Sequence, residues 1–320
     1  MPFNFVDLFA GIGGFHLAAT RQGGRCVAAC EIHPGAQAIY AVNYGLTPHS
    51  DIRTLAPIPD LDLVCAGFPC QPHSMLGERR GLRDRRGQLF NALRDFILAS
   101  APRAFLLENV KGILTTTDLD KLLAPFRKAG YQISWAVLDS KNFGLPQHRE
   151  RVYIVGATAA PVGPTPAAAF DFTRLTHPAR PRPLHPIREF LDPAMTPEAA
   201  EALRTDIFLG IPIWDPPHLT AAGFLLRAQR SNYTNRKLFS TDGILGTIPT
   251  NSPPPIYDES RGIARHLSGT ELLRCQGFPA RFKFPAEYAS RSKIVHYVGN
   301  AVSPPVISAI IGEMRRQGLV

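Results

Sequence analysis

Residues 3–16 read FNFVDLFAGIGGFH. The apolar run FNFVDLF suits a strand buried on both faces. It stops at Ala10-Gly11-Ile12-Gly13-Gly14, where glycines permit a tight turn and let backbone N–H groups approach a ligand at the N-terminus of the next helix. A strand–glycine–helix junction of this kind predicts an α/β fold with its ligand at the carboxyl edge of a sheet. The spacing is not the Gly-x-Gly-x-x-Gly of dinucleotide enzymes, and glycines at such corners also serve packing alone, so the junction leaves open whether the ligand is a nicotinamide dinucleotide or S-adenosylmethionine.

Outward from this stretch the alternation continues. GGFHLAATRQGG predicts a helix, RCVAACEI a strand, HPGAQAIYAVNYG a helix and LDLVCAGF a strand. QLFNALRDFILASA and LDKLLAPFRKAG predict helices on either side of the strand RAFLLENV, and QISWAVLDS and RVYIVGAT predict two more strands. Near-continuous apolar strands alternating with helices predict a mostly parallel, doubly wound sheet covered on both faces. The pattern breaks after Thr158, where residues 160–186 are dense in proline, which central strands and helix interiors do not tolerate. From there to about residue 264 the signals are irregular, as in a small domain of loops and short strands. SPPVISAIIGEMRRQG is helical again, with Pro304 and Pro305 suited to a first turn. The expected organisation is a large domain over 1–171, a small irregular domain over 172–280 and a C-terminal segment over 281–320 that returns to the first.

At 320 residues, 45% hydrophobic and 19% charged, the chain can bury a large core. No apolar run approaches the length that spans a bilayer, and MPFNFVDLF lacks the layout of a signal peptide, which predicts a cytoplasmic protein without a membrane partner. The five cysteines, Cys26, Cys30, Cys65, Cys70 and Cys275, show no paired zinc spacing, so neither a disulfide framework nor a metal site is expected. A net charge of +9 favours a polyanionic partner, although an arginine-rich housekeeping protein would show the same balance.

The residue types at the strand ends carry the chemistry. Most intracellular cysteines are small buried apolar residues, but Cys70 closes LDLVCAGFPC behind Pro69 and is followed by polar residues. LLENV brings Glu108 and Asn109 to the same sheet edge, and QHRER places Arg149 and Arg151 beside another strand. A thiol, a carboxylic acid and two guanidiniums from three elements would then share one mouth. Individually each has a plainer reading, as a turn pair or a solvated face. Glu31 ends the second strand about 20 residues beyond the glycines, where such folds set an acid against ribose hydroxyls, and Asp51 follows a short helix.

In their order, DLFAGIGGF, GFPCQPHS, ENV, QHRER with VYIVG, RHLSGTELLRCQGFP and YVGNAVSPPV, these blocks resemble those of the cytosine-5 DNA methyltransferases of the bacterial restriction–modification type. The resemblance covers nearly all of the chain except about 172–264, and it implies that the small domain over 172–280 is a target-recognition domain. It implies that Cys70 adds to ring carbon 6 of a flipped cytosine, that Glu108 holds and protonates ring nitrogen 3, and that Arg151, supported by Arg149, contacts the base carbonyl. It implies S-adenosyl-L-methionine as methyl donor, leaving as S-adenosyl-L-homocysteine. Phe9 would stack on adenine, Ala10, Gly11 and Gly13 would line the methionine end, and Glu31 would bind ribose. Ile32, Asp51 and Ile52 would flank adenine, Gly67 and Pro69 would adjoin the cofactor, and Asn300 and Val302 would close the site.

Double-stranded DNA is the implied partner, with the protein acting as a monomer and a companion endonuclease left open. Residues 71–88, QPHSMLGERRGLRDRRGQ, read as a loop that closes over DNA, with Gln71, Ser74, Arg79, Arg80, Arg83, Arg85 and Arg86 available to it. Residues 216–241 contain no acid but include Arg227, Arg230, Tyr233, Arg236 and Lys237, an expected major-groove surface. Where the family carries Thr-Leu or Thr-Val, this chain has Thr247-Ile248. Three rivals remain: an RNA cytosine methyltransferase, a non-catalytic nucleic-acid-binding relative, and a nicotinamide oxidoreductase. Gln147 disfavours the first, the intact Cys70, Glu108 and Arg151 the second, and the absence of hydride chemistry in the second half the third.

Overall fold

The computed structural model describes residues 2–69, 85–158, 169–175, 184–193, 213–230 and 236–320, with side chains of the helix that starts at Arg85 described from Gln88 onward. The chain divides into two compact units. One comprises Met1–Leu138, Glu150–Arg180 and Val306–Val320, the other Asp139–Arg149 and Pro181–Pro305.

The sheet of the first unit contains β1 (Phe3–Leu8), β2 (Gly24–Cys30), β3 (Leu63–Gly67), β4 (Ala104–Val110), β5 (Tyr131–Asp139) and β6 (Glu150–Thr158), in the order β2-β1-β3-β4-β6-β5. Helices α1 (Gly14–Arg21), α2 (Pro34–Tyr44), α3 (Arg85–Ser100), α4 (Ile113–Thr116) and α5 (Leu119–Lys128) alternate with them. β1 pairs in parallel with β2 and β3, and β3 with β4. This is the mostly parallel α/β architecture that the apolar runs predict.

β6 departs from it by running antiparallel to β4. Parallel strands need a crossover of a dozen or more residues, whereas β5 hands on to β6 through residues 140–149, which open with the 3-10 turn Ser140–Phe143. The reversal matters for function, because it puts the first residues of β6 beside the last residues of β4. The core explains the apolar strands: Phe105, Leu106 and Leu107 of β4 are fully buried, as are Leu123 and Phe126 of α5. Phe105 packs its ring 4.9 Å from that of Phe126 and 5.1 Å from that of Tyr131.

In the second unit, β7 (His218–Leu219), β8 (Leu225–Gln229), β9 (Lys237–Ser240), β10 (Pro255–Asp258) and β11 (Ile263–His266) form a sheet in the order β11-β10-β9-β8-β7. Its core holds a charge. Arg265 is fully buried, with Nε 3.1 Å from Asp258 and its other nitrogens 2.8 and 2.9 Å from Glu271. Glu271 also closes a capping box with Ser268 at the start of the helix Gly269–Gln276. Removing one member leaves the others charged and buried, so Arg265→Ala is expected to cost about 3–5 kcal/mol. The fall in the chemical-denaturation midpoint of the intact chain measures it.

The C-terminal stretch Arg291–Arg316 is long and apolar enough by composition to cross a membrane. It is broken at Ala301–Ser303, and 72% of its most apolar window is buried within the protein.

Candidate active site

The carboxyl ends of four strands lie level in the first unit. Leu8 is opposite Cys30 on one side and Ala66 on the other, and Gly67 is opposite Glu108. The residues that follow therefore leave the sheet along one edge: Phe9 and the glycine turn, Glu31, Phe68 and Pro69, and Asn109.

The glycine turn is wound tightly. Phe9 has φ +53°, Gly11 φ +53° and Gly13 φ +87°, all left-handed. A non-glycine residue such as Phe9 in this region stores about 1–3 kcal/mol, and such strain clusters at functional sites. Ala10 N–H donates to the Cys30 carbonyl at 2.9 Å, and Gly13 N–H to the Ala10 carbonyl at 2.8 Å. A Cβ built on Gly11 would meet nothing within 4 Å, so open space adjoins the turn at this point.

Glu31 faces the same turn with a fixed carboxylate. The Gly11 N–H donates to its Oε2 and the His33 N–H to its Oε1, each at 2.8 Å. An ionised carboxylate has about four lone-pair sites, so two backbone donors orient it and leave an acceptor on each oxygen. Asp51 caps the turn Ile52–Thr54 and accepts from both the backbone and the guanidinium of Arg53. The Arg53 side-chain bonds pull its carboxyl down to about 2. Ile32 is 65% exposed, Gly67 and Pro69 are half-buried, and Ala10 and Ile52 are buried, with the Ile52 side chain in the hydrophobic core.

The acid end of the edge is a buried ion pair. Glu108 Oε1 lies 3.2 Å from Nε of Arg151, and both side chains are largely shielded from water. The antiparallel β6 makes the pair possible, since Arg151 is opposite Val110 at the end of β4. Asn109 is buried beside them; its Nδ2 donates to the Phe68 carbonyl at 3.0 Å and its Oδ1 accepts from Val110 N–H at 2.8 Å. This amide ties the end of β4 to the backbone just before Pro69, a positioning role that the sequence block Glu-Asn-Val does not reveal. Asn109→Leu leaves the Phe68 carbonyl without that donor, a loss of about 1–3 kcal/mol. It is expected to slow turnover by about 10–100-fold, with cofactor affinity unchanged in a titration.

Arg149 belongs to the second unit and is buried there. Its guanidinium donates to the carbonyls of Gly299 and Ala301 at 3.1 and 2.9 Å, and its N–H to Asp139 at 2.9 Å. Gln147 reaches Gln276 at 2.7 Å and accepts from Ile248 N–H at 3.0 Å, while Gln276 donates to the Ala301 carbonyl at 2.7 Å. Gln147 and Arg149 thus brace the turns around Ile248 and Ala301. Asn300 is exposed, its amide donating to the His296 carbonyl, and Val302 is buried.

Arg227 is largely buried between Asp215, Glu259 and the ring of Tyr257, whereas Arg230 and Arg236 are exposed at the facing ends of β8 and β9. Cys70, Gln71, Ser74, Arg79, Arg80, Arg83 and Tyr233, together with the side chains of Arg85 and Arg86, lie outside the described residues. The four described cysteines are poor nucleophile candidates. Burial pushes the thiols of Cys26 and Cys30 up to about 12 and those of Cys65 and Cys275 well upward.

A family model described as C-5 cytosine-specific DNA methylase matches residues 3–316. Among curated proteins, the Type II methyltransferase M.HaeII of Haemophilus aegyptius is 35% identical over 98% of this chain and 92% of its own length. The Type II methyltransferase M.NlaX of Neisseria lactamica is 34% identical over 98% of this chain and 96% of its own. Among solved structures, the S. pombe Dnmt2 methyltransferase superposes with a TM-score of 0.74 at 18% identity, covering 98% of this chain and 99% of that one. That last likeness concerns the fold.

Proposed function

The chain belongs to the C-5 cytosine-specific DNA methylase family, and we propose that Cys70, Glu108 and Arg151 carry its chemistry while the turn at Gly11 and the carboxylate of Glu31 hold S-adenosylmethionine. The protein is a DNA cytosine-5 methyltransferase, and the family uses S-adenosylmethionine. The observation that carries the assignment of residues is the Glu108–Arg151 pair, 3.2 Å apart, at the edge where Gly67 is level with Glu108 and Cys70 follows three residues later in the sequence.

A cytosine inside a duplex exposes neither face of its ring, so the base must be flipped out of the stack before reaction. The Cys70 thiolate then adds to carbon 6; the sulfur–carbon bond forms as the carbon 5–carbon 6 electron pair moves onto carbon 5. Glu108 supplies a hydrogen bond and proton to ring nitrogen 3, so charge does not accumulate on the ring. Arg151 holds the Glu108 carboxyl in place and offers its remaining N–H groups to the base carbonyl. When bound, S-adenosylmethionine would supply an electrophilic methyl group, with S-adenosylhomocysteine as the other product. Carbon 5 takes the methyl group; loss of the carbon 5 proton then returns an electron pair to the ring and expels Cys70 as thiolate, while ring nitrogen 3 gives its proton back to Glu108.

The residues at the glycine turn fit such a cofactor. The remaining acceptors of Glu31 suit two ribose hydroxyls, and the exposed Ile32 and the rim residues Phe9 and Asp51 suit adenine. The cradle beside Gly11 would be filled by any side chain placed there. Ile52 supports this rim from the core. Gln147 and Arg149 act as positioning residues within the second unit.

We assign cofactor binding and catalysis to residues 1–171 and target recognition to 172–280, with 281–320 as a C-terminal segment. The exposed Arg230 and Arg236 are the favoured DNA contacts of the recognition segment, with Gln71, Ser74, Arg79, Arg80, Arg83 and Arg85 on phosphates. Phosphate contacts release counterions, so log Kd for duplex DNA should rise with log salt at a slope near 0.9 per contact. A salt-independent Kd would contradict the basic assignment. The names of the relatives support a restriction–modification role, and we propose a monomer that acts on double-stranded DNA in the cytoplasm. Bisulfite sequencing of DNA from a host expressing the intact chain is expected to show one short sequence protected at cytosine. A Cys70→Ala chain should show none, and protection by both chains, or by neither, would overturn the assignment.

A further inference from the structure

We propose that Tyr44 is a positioning residue for the cofactor, its hydroxyl fixing the glycine turn from the side opposite the ligand. The proposal rests on the reading that places S-adenosylmethionine at Gly11 and Glu31. Tyr44 is the last residue of α2, and its Oη donates to the Gly13 carbonyl at 2.7 Å. In a trans peptide the carbonyl and the following N–H point in opposite directions. Holding the Gly13 carbonyl against Tyr44 therefore aims the Gly14 N–H, at the N-terminus of α1, away from it. That is the direction from which an acceptor on a bound ligand would approach.

The ring contributes as well as the hydroxyl. A Cβ built on Gly13 would fall 2.2 Å from Cε2 of Tyr44, so the ring fills volume that only glycine leaves at this position, while the φ of +87° there also favours glycine. The imidazole of His16, three residues further along in α1, stacks on the Tyr44 ring at 4.0 Å with an interplanar angle of 18°. His16 Nδ1 bonds Tyr40 Oη at 2.6 Å, and the His16 N–H donates to Asp7 of β1 at 3.2 Å. Tyr40 and Tyr44 stand one helical turn apart on the same face of α2. Burial pulls the His16 ring down to about 4, so it stacks as a neutral group at ordinary pH. β1, α1 and α2 are thus fastened together directly beneath the turn, and the Tyr44 hydroxyl is the member of the cluster that bonds to the turn itself.

Tyr44→Phe keeps the ring and its stacking and removes only the donor, so it separates positioning from packing. One hydrogen bond corresponds to about a fivefold change in affinity. Isothermal titration with S-adenosylhomocysteine should show binding about fivefold weaker, with the KM for S-adenosylmethionine raised to match. The kcat at saturating cofactor and the Kd for duplex DNA should hold, and the melting temperature should move little because the Gly13 carbonyl keeps the Leu17 N–H at 3.0 Å. A structural role alone would lower the melting temperature and leave the titration unmoved. Glu31→Ala serves as the companion measurement. If it loses cofactor binding while Tyr44→Phe does not, the role of the hydroxyl is overturned. If both variants bind as the native chain does, the placement of the cofactor fails with it.

Discussion

Glu108→Gln is expected to lower methyl transfer by about 10²–10⁴-fold, the range for removing a positioned general acid. The amide has nearly the shape of the carboxyl group and fits the same space at the end of β4. Its N–H groups can donate a hydrogen bond to ring nitrogen 3 but cannot transfer a proton to it, and it offers no charge to the guanidinium 3.2 Å away. Because Glu108 and Arg151 are both largely shielded from water, some loss of stability accompanies the change, so the decisive reading is a separation of constants. The kcat should collapse while the Kd for S-adenosylhomocysteine stays within about twofold, since no backbone donor to Glu31 is disturbed. A fall in turnover of less than tenfold would reduce Glu108 to a structural partner of Arg151.

Cys70→Ala has the larger expected effect, a loss on the order of 10⁴-fold or more, as when a covalent nucleophile is deleted from an enzyme that works through it. No other cysteine is placed to substitute. Cys65 is fully buried within β3, Cys26 and Cys30 are held near 12 by burial, and Cys275 is fully buried in the helix Gly269–Gln276 of the second unit. DNA affinity should be retained, because the thiol contributes little to binding before reaction. Measurable methylation by the alanine variant would remove covalent catalysis from the account.

Much of the fold is legible in the residues, and the reasons differ from place to place. The runs FNFVDL, LVCAG and AFLLENV become strands because they are apolar on both faces, and each lies in a sheet covered by helices. The direction of β6 is not legible, since a period of two looks the same read either way; only the short connection over residues 140–149 hints at the reversal. The same limit hides the division of labour in QHRER. Arg149 and Arg151 are two positions apart and chemically identical, yet one bonds carbonyls of Gly299 and Ala301 and the other pairs with Glu108.

At the candidate site, sequence spacing is enough to put Glu31 near the glycine turn. It does not reveal that the Gly11 and His33 N–H groups pin both carboxylate oxygens. Asp51 reads as a polar contact, but its bond to Arg53 two residues on is a capping arrangement that only the folded turn displays. Tyr44 reads as one more aromatic at the end of a helix. What marks it is a hydroxyl that reaches back 31 residues to a carbonyl, and long-range hydrogen bonds leave no periodic trace in a sequence.

The central claim is a transient bond between the Cys70 sulfur and carbon 6 of the target base. Once bisulfite sequencing has given the target, a duplex carrying 5-fluorocytosine at that position offers the most direct measurement, because fluorine at carbon 5 leaves no proton to eliminate after methyl transfer. With S-adenosylmethionine present, the native chain should form a complex that survives denaturing electrophoresis, and mass spectrometry should place the methylated nucleotide on Cys70. A complex attached to another residue, or none under conditions where the native chain methylates ordinary duplex, would contradict it.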